Sequence, residues 1–442
     1  MTARGIRGTF VDFIDDPWRH IGDEEAATRF IPDGLLVVED GIIVDHGAYA
    51  EVSQRHPALE TTEIRDRLIL PGFIDGHIHV PQTRVLGAYG EQLLPWLQKW
   101  VFPEERKYSD PDYALEGTRR FFDNLLASGT TTCQAFTTAD PAFTRVVFEE
   151  AARRNMRIIT GVTAIDQHAP EWFTCTPDEF YEAATELIAR FHGVGRALYA
   201  ITPRFAYGAS TELLETCRRL HEEHPEVWVH THISENPAEV RGVLALHQDC
   251  SDYLGVYEKY GLVGPRFTGG HGVWLGDEEF ARLSAAGAAV TFCPCSNLYL
   301  GSGLFRLGRV TDPAQRVRTS FGTDMGGGNR FSMLNVLEDA YKVGSSTTPC
   351  WTAASIRPDR TSRKPSATSS HRIGPSTRSH AGARRRSTST TVSAASTSAT
   401  RPTSSCWTGG AVRLPRHGIR ACTSAMAHRR LSPTPPSCCS RS

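Results

Sequence analysis

The chain has 442 residues, a formal charge of −1 and 40% hydrophobic residues. That length suits two or three ordinary domains, or one barrel with an appendage, and the near-neutral charge gives no global pull toward nucleic acid or an acidic membrane. No basic N-terminal stretch leads into an apolar run, no run of 18 apolar residues occurs, and eleven cysteines lack CxxC spacing. A signal peptide and a membrane span are therefore not expected, and a reduced, cytoplasmic enzyme is.

Residues 1–67 read as a small β domain. Residues 5–13, 34–38 and 41–44 are β-prone, with Glu39-Asp40-Gly41 as the turn between the last two. From residue 68 to 344 short apolar runs alternate with amphipathic stretches. Strands are expected at 68–74, 130–135, 157–163, 198–202, 227–232, 267–271, 289–292 and 318–322. Helices are expected at 113–128, 141–155, 177–193 and 211–223. Eight strands separated by helices predict an α/β fold: a (β/α)8 TIM-type barrel, with a small β-sandwich domain built from the N-terminal segment.

Residues 345–442 break this order. They hold sixteen of the 48 Lys+Arg and one of the 49 acids, Asp359, so the body is acidic and the tail basic. Their Ser/Thr/Arg/Pro composition has the signature of a disordered tail, and its cations lack the aromatic interleaving of a specific nucleic-acid binder. The genetic code offers a second reading. Residues 387–409, written in GC-rich codons and read one base earlier, give a string that ends Gly-Tyr-Glu-Ala-Asp-Leu-Val-Val-Leu-Asp-Trp. That string contains a turn, an acidic surface and a β-strand, so the tail is read as the product of a frame slip between residues 343 and 350.

The chemistry-bearing residues fall where strands hand over to helices. Pro71-Gly72-Phe73-Ile74-Asp75-Gly76-His77-Ile78-His79 ends on His-x-His, and residues two apart on a strand point the same way. Next come His230-Thr231-His232-Ile233-Ser234-Glu235, Gly270-His271-Gly272 and Gly322-Thr323-Asp324. This ordered set makes a nitrogen/oxygen site suited to zinc or iron(II), as in a metal-dependent hydrolase. His230 is expected to pack behind the site rather than ligate, and His221 and His224 to lie on a solvated helix end.

With Gly8-Thr9-Phe10-Val11-Asp12-Phe13, Val80-Pro81-Gln82, Phe292-Cys293-Pro294-Cys295-Ser296-Asn297 and Met325-Gly326-Gly327-Gly328, these motifs resemble the amidohydrolase superfamily. Within it they are similar to the guanine deaminases, over residues 5–343. The family closes on a strand that appears here only in the shifted frame. The resemblance implies hydrolysis of guanine to xanthine and ammonia in purine catabolism. It places one divalent ion, zinc or iron(II), on His77, His79, His232 and Asp324. Such an ion lowers the pKa of its water from about 15.7 toward 7. Asp324 would accept that water's proton, Glu235 would carry protons to the ring and the leaving amine, and His271 would orient the water or polarise the tetrahedral intermediate.

Binuclear amidohydrolases bridge two ions with a carboxylated lysine, but no lysine lies between Lys107 and Lys259. Arg204 stands at the matching strand end. Its guanidinium stays charged and can donate a fork of hydrogen bonds to a purine, so the site is expected to be mononuclear. By resemblance Gln82 offers its amide to guanine, and Phe205 can stack on the base. The implied partner is a small purine, with no membrane and no specific nucleic acid, in a family commonly dimeric. Two other readings stay open: an aminohydrolase or chlorohydrolase acting on 8-oxoguanine, a triazine or an adenosine derivative, and a product made inactive by its tail.

Overall fold

The computed structural model describes residues 3–20, 23–347 and 411–412. Strands β1 (Arg4–Phe13), β2 (Thr28–Glu39) and β3 (Ile42–Ala48) form an antiparallel meander. Its second turn is tight because Asp40 and Gly41 both take positive φ, 51° and 81°, as a two-residue hairpin demands. After helix Tyr49–Arg55, β4 (Thr61–Ile69) returns parallel to β1, and the backbone of Ala411–Val412 pairs antiparallel with its end. Leu35, Val37 and Val52 are buried between sheet and helix, whereas Phe13, Phe30, Ile42, Ile43 and Val44 are exposed.

The barrel strands follow: β5 (Phe73–His79), β6 (Thr130–Phe136), β7 (Arg157–Gly161), the two-residue β8 (Thr163–Ala164) and β9 (Ala197–Pro203). Then come β10 (Trp228–Ile233), β11 (Phe267–His271), β12 (Ala289–Phe292) and β13 (Arg318–Phe321). The eight long ones are parallel neighbours in the order β13-β12-β11-β10-β9-β7-β6-β5, a nearly closed (β/α)8 barrel, with β8 beside β9. The two ends meet where Asp324 N donates to His77 O at 2.8 Å. Gly322 permits this approach, since a Cβ there would lie 2.8 Å from His77 Cβ.

One expected strand is two. Residues 68–74 divide between the end of β4 and the start of β5, because Pro71 has no N–H for a ladder and a side chain at Gly72 would collide with Thr131. The expected strand at 157–163 likewise divides around Val162, whose N–H is taken by Tyr199 Oη at 3.3 Å.

Helix starts follow local chemistry. Asp110, Asp140, Thr176 and Asn236 cap helices Pro111–Ala127, Pro141–Arg153, Pro177–Phe191 and Pro237–Leu246, each with proline in the first turn, where a missing N–H costs nothing. Apolar helix faces bury Phe121, Phe143, Phe180 and Leu213 against the sheet. No helix among the described residues is long and apolar enough to cross a membrane. The reading of residues 345–442 as a frame-slipped tail lies outside the described residues, apart from residues 345–347 in helix Met333–Thr347 and the pair Ala411–Val412.

Candidate active site

Alternation along β5 sends His77 and His79 to the barrel interior, and β10 delivers His232 opposite them. The ligand atoms of the three imidazoles lie within 4.8 Å of one another. His79 Nε2 stands 3.2 Å from His232 Nε2, and Asp324 Oδ1 stands 3.2 Å from His79 Nε2 and 3.6 Å from His77 Nε2. His232 Nδ1–H donates to the Arg204 backbone carbonyl, which leaves Nε2 as a lone pair aimed at the others. His77 Nδ1 meets His230 Nε2 at 3.0 Å, while His77 Nε2 is buried without a partner.

The electrostatics suit a cation. Burial, then the neighbouring imidazoles, hold His77 and His232 well below the usual histidine range, so both are neutral donors. Burial pushes Asp324 up, yet its hydrogen bond with His79 and the facing charges of His271 and His79 outweigh this and hold it at about 2. Three imidazoles and a carboxylate around an orphaned Nε2 fit one divalent ion. A second cluster, His77, His271 and Cys293, shares His77. Burial holds the Cys293 thiol well above its usual range, which denies that cluster its thiolate.

Glu235 follows β10 and does not join the ligand set. Burial, with the charges of Asp324 and Glu239, raises its carboxyl well above the ordinary range. Its Oε1 accepts from Ser302 Oγ at 3.2 Å, and its Oε2 lies 3.4 Å from His271 Nε2. Glu239 Oε2 accepts from the backbone N–H groups of Glu235 and Asn236 at 3.0 and 3.1 Å, which fixes the loop. Asn297 Nδ2 donates to His271 Nδ1 at 2.9 Å, so His271 Nε2 carries its proton toward Glu235 and Asp324. Burial lowers His271 to about 4. Ser234, His271 and Asp324 all take positive φ (50°, 73° and 42°), a concentration of backbone strain typical of functional sites.

One pocket is lined by His79, His232, Glu235, His271 and Asp324 together with Gln82, Arg204 and Phe205, while His77 lies beneath it within the histidine cluster. His230 stands behind His77, and His221 and His224 lie at the end of helix Thr211–Glu223, away from it. Others were not expected. Leu93, Trp96 and Leu97 form an apolar wall, and the Trp96 indole Nε1 is buried without a partner. Asp75 accepts from His77 N at 3.2 Å and Thr323 N at 3.0 Å, which couples β5 to the loop bearing Asp324. Glu105 pairs with both Gln82 and Arg204. Nothing local marks it, since Glu104-Glu105-Arg106-Lys107 reads as a solvated charge run.

Known proteins resemble this chain in sequence and fold. The model of the Amidohydrolase family matches residues 68–361. Guanine deaminase of Escherichia coli (strain K12) is 44% identical over 348 residues, 77% of this chain and 77% of that protein. The crystal structure of guanine deaminase from Bradyrhizobium japonicum superposes with a TM-score of 0.77 at 66% identity, over 78% of this chain and 74% of that one. The guanine deaminase of C. acetobutylicum, solved with guanine in its active site, gives 0.73 at 25% identity, over 78% and 80%.

Proposed function

Since this chain belongs to the amidohydrolase family, we propose that it is a guanine deaminase, converting guanine and water to xanthine and ammonia. The observation that carries the reading is Glu235, its carboxyl raised by burial, standing with a donor-and-acceptor pair, Arg204 and Gln82, in one pocket beside the cluster of three histidines and Asp324. Relatives 44% and 66% identical to this chain bear that activity in their names.

His77, His79, His232 and Asp324 would hold one divalent ion, zinc in first place and iron(II) as the other ion this donor set takes. A bound ion there supplies Lewis-acid polarisation and a water acidic enough to attack at neutral pH. Asp324, ionised, takes the proton of the attacking water as its oxygen bonds to C2 of guanine. Glu235, protonated, delivers its proton to ring N3 as C2 becomes tetrahedral, which leaves N3–H as in xanthine and Glu235 as a carboxylate. The Glu235 carboxylate left behind takes the hydroxyl proton from C2 and delivers it to the 2-amino group, so that C2=O forms as the C2–N bond breaks to release ammonia, and the proton held by Asp324 returns to Glu235. His271 Nε2–H donates to the new oxygen on C2. Phe205 stacks on the ring, and the apolar wall of Leu93, Trp96 and Leu97 excludes bulk water.

Assay of the purified, metal-loaded chain against guanine, 8-oxoguanine, adenosine and a chloro-triazine, read by ammonia or chloride release, tests this. Guanine should be turned over in preference to the other three. Preference for any other member of the panel would replace the reading.

A further inference from the structure

The Glu105 carboxylate is a buried acid beside the pocket that the proton-transfer chemistry leaves unused. It ends helix Phe102–Glu105 and is 1% exposed. Oε1 accepts from Gln82 Nε2 at 2.9 Å and from Arg204 Nη2 at 3.1 Å, and Oε2 accepts from Arg204 Nη1 at 2.8 Å. Gln82 follows β5 and Arg204 follows β9, so one carboxylate ties together groups from separate strands. The guanidinium is further confined by the faces of Phe102 and Phe173, at 5.5 and 5.6 Å from the ring centroids.

A carboxylate can only accept, so it settles how the Gln82 amide lies. The NH2 end must face Glu105, which turns the carbonyl oxygen the other way, and no described residue donates to that oxygen. Two guanidinium nitrogens of Arg204 are likewise committed, leaving its other N–H groups for a ligand. Without Glu105 the amide could rotate by 180° at little cost and exchange acceptor for donor. A buried ion pair of this kind rarely adds net stability over an apolar substitute, so its return lies in specificity.

We propose that Glu105 is a positioning residue for base recognition: by pinning the Gln82 amide and the Arg204 fork it imposes an acceptor-beside-donor pattern that admits a 6-oxo purine and rejects a 6-amino one. The inference rests on the guanine reading above. Guanine carries a carbonyl acceptor at position 6, and 2,6-diaminopurine differs from it only by an amino donor there and the loss of the N1 proton. Both keep the reactive 2-amino group.

The test uses the metal-loaded full chain and Glu105→Gln, with Glu105→Asp, which keeps the charge and retracts it by one methylene, as the second variant should the first not fold. Guanine turnover and inhibition or turnover by 2,6-diaminopurine are measured together. Pinning predicts a rise in the KM for guanine of at least tenfold, larger than any fall in kcat. Affinity for 2,6-diaminopurine should shift less than threefold, so the preference between the purines collapses. Equal losses for both purines, or no loss for either, would overturn the proposal, since a packing role moves both alike. A parent chain that turns over no guanine defeats the functional reading itself, whereas an active parent with an unaffected variant defeats only the role of Glu105.

Discussion

His77 Nδ1 and His230 Nε2 face each other at 3.0 Å on the floor of the barrel. For His77 to present a lone pair at Nε2, its proton must sit on Nδ1, and His230 is the acceptor that keeps it there. His230→Leu removes that acceptor while filling the space. Metal affinity is expected to fall about 10- to 100-fold, measured by chelator competition. Affinity equal to the parent's would show that His77 holds its tautomer unaided.

The expected stoichiometry is one ion per chain. Arg204 occupies the position where a bridging lysine would stand, and it is committed to Glu105. Elemental analysis should return one equivalent, lost in the double variant His77→Ala, His79→Ala. Two tightly held ions, or full occupancy of the double variant, would refute this.

Glu235→Gln keeps the size and the hydrogen bond with Ser302 but has no titratable oxygen. Metal content should remain, and turnover should fall by roughly two to four orders of magnitude, as for a lost general acid/base. Near-parental turnover would assign the shuttle elsewhere.

Trp96 Nε1 is a buried donor in the wall of the pocket with no partner, a cost that a bound purine acceptor would remove. Trp96→Phe keeps most of the apolar area and deletes the N–H. The KM for guanine is expected to rise roughly three- to tenfold, the worth of one hydrogen bond of about 1 kcal/mol. An unchanged KM would leave the indole as wall only.

The frame reading of residues 345–442 is tested at the level of DNA and product. Phe13, Phe30, Ile42, Ile43 and Val44 of the small sheet are exposed, as are Leu334, Leu337 and Tyr341 of helix Met333–Thr347, and exposed apolar surface favours aggregation. The chain as written is expected to be less soluble and less active than one in which the alternative frame is restored after residue 343. Equal melting temperatures and equal guanine turnover for the two, or stop codons in the shifted frame between residues 350 and 410, would end the idea.

The barrel was legible because its signals are local. Apolar strands of four to seven residues alternate with helices opened by Asp-Pro, Thr-Pro and Asn-Pro, and the strands at 267–271 and 289–292 fall where the pattern put them. The histidines and Asp324 were legible for a related reason, since strand ends on one face of such a barrel must converge. Glu105, Asn297 and Asp75 were not. Each acts by touching a residue from 23 to 248 positions away, and no periodicity encodes such a meeting. The break at Pro71-Gly72 was readable in principle, but an apolar run across it imitates one continuous strand.

The ligand set also spans the barrel's seam. β5 and β13 stand at opposite ends of the strand order and meet through Asp324 N to His77 O and through Thr323 to Asp75. An ion gripped by His77 and His79 on one side and Asp324 on the other would act as a clasp on a hoop that backbone ladders leave open. Catalysis and mechanical closure would then share one fastening: a chelator that silences the enzyme would also unbuckle the barrel at this joint, and amide exchange along residues 318–324 should quicken there before the opposite wall responds.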